Sequence, residues 1–128
     1  MSIVEYLEEL LRKVERHALV KRLYVKNMQV SLKRGYVRFV ALFVDDSELH
    51  VFEYVNSDLG RLGYAYHYQD SFGSLILRYN NEPHYPDLPT FPHHKHVARE
   101  EAPRPSEQVS MDEVLREITL CIIKRSRN

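Results

Sequence analysis

Four of the seven histidines in this 128-residue chain fall between positions 84 and 96. They lie in the segment Asn81-Glu82-Pro83-His84-Tyr85-Pro86-Asp87-Leu88-Pro89-Thr90-Phe91-Pro92-His93-His94-Lys95-His96. Histidine titrates near neutrality, so it can act as acid, base or metal ligand. Metal-free cleavage of RNA needs a base for the 2′-hydroxyl and an acid for the leaving 5′-oxygen. It also needs cations for the charge that develops on the phosphate. His93, His94, Lys95 and His96 supply these groups, provided they meet a matching surface. The sequence offers one at His67 and Arg78.

The prolines of the segment recur every third residue, at 83, 86, 89 and 92. A polyproline II helix has three residues per turn, so this period predicts a stiff three-sided ribbon over 81–98. One edge would be proline and one mostly apolar, with Tyr85, Leu88, Phe91 and His94. The third would be polar, with His84, Asp87, Thr90 and His93. At roughly 3.1 Å per residue, His84 and His93 would lie about 28 Å apart. They could not share an ion unless the ribbon folded back. Zinc or another divalent ion at His94 and His96 is a competing reading, but no carboxylate or cysteine stands beside that pair at ligand spacing. No cofactor is called for. A solvent-exposed polar stretch is the third reading.

The elements that must position these residues are legible from patterning. Ser2 with Glu5 reads as a capping box before apolar residues at helical spacing, predicting a helix over 2–16. The chain then becomes rich in Val, Phe and Tyr, with strands expected near 18–32, 36–45, 48–56, 63–70 and 74–80. Turns are expected at Arg34-Gly35, Asp45 to Ser47, Asn56 to Gly60 and Asp70 to Gly73. The polar, proline-broken run 99–109 reads as a linker. Ser110 with Glu113 opens a second amphipathic helix over 110–125, on whose apolar stripe Cys121 lies. The cations Lys124, Arg125 and Arg127 suit its C-terminus. The expected fold is α+β: one domain over 1–128, an antiparallel meander of about five strands over 18–80, and a helix at each end.

A two-residue turn pairing Asp70 with Gly73 would place His67 opposite Ile76 and Ala65 opposite Arg78. His67, Arg78 and Asn80 would then share one face. Tyr64, Tyr66, Tyr68, Leu77 and Tyr79 would share the other, which reads as core rather than as a base-stacking surface. Pairing Asp45 with Glu48 would set His50 opposite Phe43, as a packed or surface histidine.

The formal net charge is zero, so any nucleic-acid site must come from local clustering. A single cysteine excludes an intramolecular disulfide. No run of 18 apolar residues and no secretory start are present, which predicts a cytoplasmic protein that does not engage a membrane.

Three strings carry a resemblance: Tyr66-His67-Tyr68-Gln69-Asp70, Leu77-Arg78-Tyr79-Asn80-Asn81-Glu82-Pro83-His84-Tyr85-Pro86, and Thr90-Phe91-Pro92-His93-His94-Lys95-His96. They resemble the TumE family, toxins of bacterial and archaeal toxin–antitoxin pairs. The likeness covers roughly residues 15–98. Family members carry a tract more like Asp-Asn-Ala-Pro-His-His-Pro after the arginine. Here Asn80 stands for the aspartate and Tyr85 for the second histidine. These two, with His84, are assigned to substrate binding. His67, Arg78, His93, His94, Lys95 and His96 form the expected catalytic set. The resemblance implies a small cytoplasmic toxin and a cognate antitoxin partner; a homodimer is compatible with it.

Three functions remain open from sequence. One is a metal-independent ribonuclease with a neutral pH optimum. The second is a non-catalytic RNA- or antitoxin-binding module. The third is a histidine-ligated metal protein.

Overall fold

A computed structural model describes residues 1–127. Helix α1 spans Ile3–Glu15, and both halves of its Ser2–Glu5 capping box are formed. Six strands follow: β1 (Val20–Val30), β2 (Arg34–Phe43), β3 (Glu48–Asn56), β4 (Arg61–Gln69), β5 (Leu75–Asn80) and β6 (His94–Val97). A two-residue strand, β7 (Arg104–Pro105), precedes helix α2 (Met111–Ser126). Each strand pairs antiparallel with the next, giving one sheet in the order β1 to β7. The α+β meander between two helices is as expected. The strand count is seven, because the end of the histidine segment and part of the expected linker join the sheet.

Strict alternation in β2, β3 and β4 sends one set of side chains to a covered face. Both helices pack there. Leu7 and Val14 of α1 and Ile118 of α2 meet Phe39, Phe43, Leu49, Tyr66 and Tyr68, all fully buried. Burying each such side chain is worth about 1.5–3 kcal/mol. The tyrosines at 64, 66, 68 and 79 are core, and Cys121 packs partly buried against it. Among the described residues, no element lies over the central part of the opposite face, where the alternating residues of β2 to β4 stay half-exposed.

Three hairpins share one turn. Phe43, Asn56 and Asp70 each accept, through the carbonyl, from the backbone N–H three residues on. The residue there adopts positive φ: Asp46 at 68°, Leu59 at 62° and Gly73 at 86°. This is a three-residue loop, a turn followed by one left-handed residue. It corrects the two-residue turns expected at Asp45–Ser47 and Asp70–Gly73. His67 pairs with Arg78, not Ile76, and Ala65 with Asn80, not Arg78. That two-residue shift preserves faces. His50 pairs with Val40 rather than Phe43, an odd shift that moves it to the open face.

The first turn is also displaced. The Ser31 N–H donates to the Arg34 carbonyl at 2.8 Å, so the turn lies at Leu32-Lys33 and Gly35 is within β2. A Cβ on Gly35 would stand 2.6 Å from Ile3 Cγ2. The glycine therefore lets the start of α1 approach the sheet.

Candidate active site

The strand registers align four basic side chains in one row across the open face. His50 on β3 stands opposite His67 on β4, His67 opposite Arg78 on β5, and Arg78 opposite His96 on β6. The His50 and His67 rings are perpendicular with centroids 6.0 Å apart. The next row reads Arg38, Phe52, Ala65, Asn80, His94. The short side chain of Ala65 leaves a hollow of about 150 Å³ lined by Lys26, Arg38, His50, Phe52, His67 and Arg78. Among the described residues, no carboxylate lines it. A neutral chain thus presents a local cationic surface.

Hydrogen bonds fix the rings. Nε2–H of His67 donates to Gln69 Oε1 at 3.1 Å, and Arg78 lies 3.4 Å from its Nδ1. His67 is therefore a neutral imidazole whose free lone pair meets the guanidinium. Gln69 in turn donates to Glu48 Oε1 at 3.4 Å, and the same oxygen accepts from His50 Nε2 at 3.0 Å. Burial first, then the charge of Arg78, holds His67 below the usual histidine range. Burial, then His94 and Arg78, does the same to His96. Among the described residues, His96 makes no hydrogen bond through its ring.

The proline period does not build an extended ribbon. Leu88 N–H donates to the Tyr85 carbonyl, Phe91 to Leu88 and His93 to Thr90, forming chained turns over 85–93. Pro86 and Pro89 occupy the second position of the first two turns, which their fixed φ favours. Pro92, after a cis peptide, occupies the third position of the last. A three-residue period therefore also fits consecutive β-turns. This compact segment folds back so that the Tyr85 ring meets His94 at 5.0 Å and His96 at 5.9 Å between centroids. His84 in turn meets Tyr85 edge-on at 6.4 Å. The extended ribbon that would have set His84 about 28 Å from His93 is not formed: His84 is two ring contacts from His94, the residue next to His93.

The expected catalytic set divides between the two faces. His67, Arg78 and His96 come together on the open one. His94 is on the same face but is 2% exposed, and its Nδ1–H donates to the Pro92 carbonyl at 3.0 Å. Its ring stands 5.1 Å from His96 and walls the site. His93 stacks on Tyr64 at 5.7 Å, away from the row, with Nδ1 2.8 Å from the Tyr64 hydroxyl. Burial pushes that phenol up to about 12, so it remains a donor. Lys95 points to the helices and pairs with Glu117 at 2.6 Å. Of the expected binding residues, Tyr85 borders His96. Asn80 is buried and its Oδ1 accepts from Glu82 N–H at 3.1 Å. His84 is exposed beside Glu82. Among the described residues, no three His, Cys, Asp or Glu side chains group as metal ligands.

Sequence reasoning missed Lys26, Arg38, His50 and Gln69. The correct parity of the β2–β3 hairpin would have revealed Arg38 and His50, because both follow from Val40 and Phe52 lying on the open face.

A helix-backed antiparallel sheet with histidines flanking an arginine on its open face defines the class of site. A family model described as Toxin TumE matches residues 7–123. The chain belongs to the TumE toxin family, which implies an antitoxin partner. No curated protein and no solved structure matches it. No described helix is long and apolar enough to cross a membrane.

Proposed function

We propose that this TumE-family toxin cleaves RNA by metal-independent acid–base catalysis in the cytoplasm. The observation that carries the reading is the row His67–Arg78–His96, two imidazoles flanking one guanidinium on adjacent strands. His96, neutral and free of ring hydrogen bonds, takes the proton from the 2′-hydroxyl. The 2′-oxygen then attacks phosphorus and the bond to the 5′-oxygen breaks. His67, neutral at rest, takes up a second proton at Nδ1 when phosphate is bound and gives that proton to the leaving oxygen, so that a 2′,3′-cyclic phosphate and a 5′-hydroxyl remain. The Gln69 Oε1 contact also suits the protonated ring, and a bound phosphate favours that form. Arg78 stabilises charge on the equatorial oxygens.

Both imidazoles titrate below the ordinary value of about 6.5 in the free protein. A base with a lowered pKa stays active at lower pH, and an acid with a lowered pKa is lost sooner as pH rises. The expected optimum therefore moves from neutral to the acid side of about 6.5. The test is cleavage of end-labelled RNA by purified protein in chelator, with product ends mapped. Wild type should give cyclic phosphate ends, and folded His67→Ala and His96→Ala proteins should give none. RNA left intact by wild type, or cleavage abolished by chelator, would overturn the proposal.

A further inference from the structure

The open face extends well beyond the histidine row. Three neighbouring hollows cross it. The central one, about 150 Å³, holds the row together with Lys26, Arg38 and Phe52. A second, about 410 Å³, shares Lys26 and His50 with the first and adds Arg22 and Tyr24. The third, about 190 Å³, holds Arg34, Tyr36 and Tyr54. It adjoins the first through Tyr36 and Phe52, whose centroids are 6.3 Å apart. Each hollow therefore joins at least one cation to at least one aromatic ring. The guanidinium of Arg38 lies 4.2 Å above the Phe52 ring, and Arg34 donates to the Tyr54 hydroxyl at 3.1 Å.

Arg22, Lys26, Arg34, Arg38 and Arg78 form no ion pair among the described residues. Among the described residues, the one carboxylate lining these hollows is Glu48, which faces His50. The surface thus carries a strong local excess of positive charge, interleaved with rings that no other element covers.

We propose that this face binds single-stranded RNA across the three hollows, with phosphates on the cations and bases on Tyr24, Tyr36, Phe52 and Tyr54. The inference rests on the RNA reading above and deepens it. Unpaired bases can stack on exposed rings, whereas those of a duplex are shut inside the helix. An acidic polypeptide would match the cations and leave the rings without a role. The row His67–Arg78–His96 then cuts a strand held along the sheet.

The test is fluorescence anisotropy with a labelled, fully 2′-O-methylated RNA of about a dozen nucleotides, a length within the range such surfaces cover. Methylation blocks attack by the 2′-oxygen, so binding is read without cleavage. The single strand should bind more tightly than its duplex. Log K should fall with log salt by about 0.7 per phosphate neutralised. Arg38→Gln should reduce that slope by about 0.7. Phe52→Ala should weaken binding about 5- to 100-fold. Tyr24, 63% exposed, provides a second ring whose removal spares the core, and Tyr24→Ala should act in the same direction. Equal affinity for duplex and single strand, affinity unchanged in all three variants, or equally tight binding of a polyglutamate peptide would overturn the inference. Binding of the methylated strand without cleavage of unmodified RNA would sustain this inference and overturn the chemistry. Cleavage unaffected in all three variants would do the reverse.

Discussion

On the helix-covered face, charged groups are matched inside the fold, whereas on the open face most stand without ion-pair partners. Glu53, 1% exposed, accepts from Tyr6 at 2.5 Å and from Tyr66 at 2.6 Å. Arg61 donates to the Tyr66 hydroxyl and to the Val109 carbonyl, both at 2.6 Å, tying the chain before α2 to the sheet. Arg125 joins Asp45 at 2.6 Å and Tyr68 at 2.5 Å. Burial, followed by the nearby Glu53 charge, raises the pKa of the Tyr6 and Tyr66 phenols, so both remain donors. These polar groups hold the two layers in register. Across the sheet, Lys26, Arg38 and Arg78 have no carboxylate to neutralise them among the described residues. Their charge remains available to a ligand.

The comparison breaks most sharply if the histidine row proves structural. His67→Ala should lower RNA cleavage about 10²–10⁴-fold, while urea unfolding shifts by no more than about 1 kcal/mol, as for a half-exposed site. A large loss of stability with cleavage retained would reverse the assignment of the faces. Phe39→Ala, on the covered face, should cost about 3–5 kcal/mol in the same unfolding measurement. Tyr66→Phe should cost about 1–3 kcal/mol, because a buried Glu53 oxygen loses its donor. A neutral outcome there would show that the carboxylate finds another partner.

The smallest effect is on pH dependence. His67, His93 and His96 all titrate below the ordinary histidine range, burial being the largest cause in each. The unfolded chain therefore takes up protons first on acidification. The resulting stability is present above about pH 6.5 and declines as pH falls through the folded values. Thermal melts between pH 7 and pH 5 should show a shallow fall, flatter in His67→Ala.

The outline of the fold was legible because its signals are local. Ser2 with Glu5, the alternation through β2 to β4 and the stripe on α2 each follow from a few neighbouring residues. Turn chemistry hid the pairing. Asp46 and Leu59 adopt the left-handed conformation without being glycine, so three-residue loops did not announce themselves. One consequence is that the expected partner of His50, Phe43, gives way to Val40, so its place on the open face beside His67 is not legible in the sequence. The proline period was ambiguous for a different reason: three residues per repeat describes both a polyproline helix and a chain of β-turns. Only the second brings Tyr85 against His96. His67 and Arg78 were found because an even error in register leaves faces unchanged.

Strand β1, 11 residues long, forms one border of the sheet and has a neighbouring strand on one side only among the described residues. Its pairing with β2 skips one residue at Lys21 and another at Lys26. Each is an extra residue, so each is a bulge. Between and beyond them the aligned runs, Arg22–Val25 and Asn27–Val30, are four residues long. An incoming strand would lose register after four residues and meet an ammonium group at each break. Such an interrupted, charged border resists edge-to-edge growth. Lys26 thus has a second consequence beyond lining the hollow: it helps keep an exposed ladder from templating copies of itself.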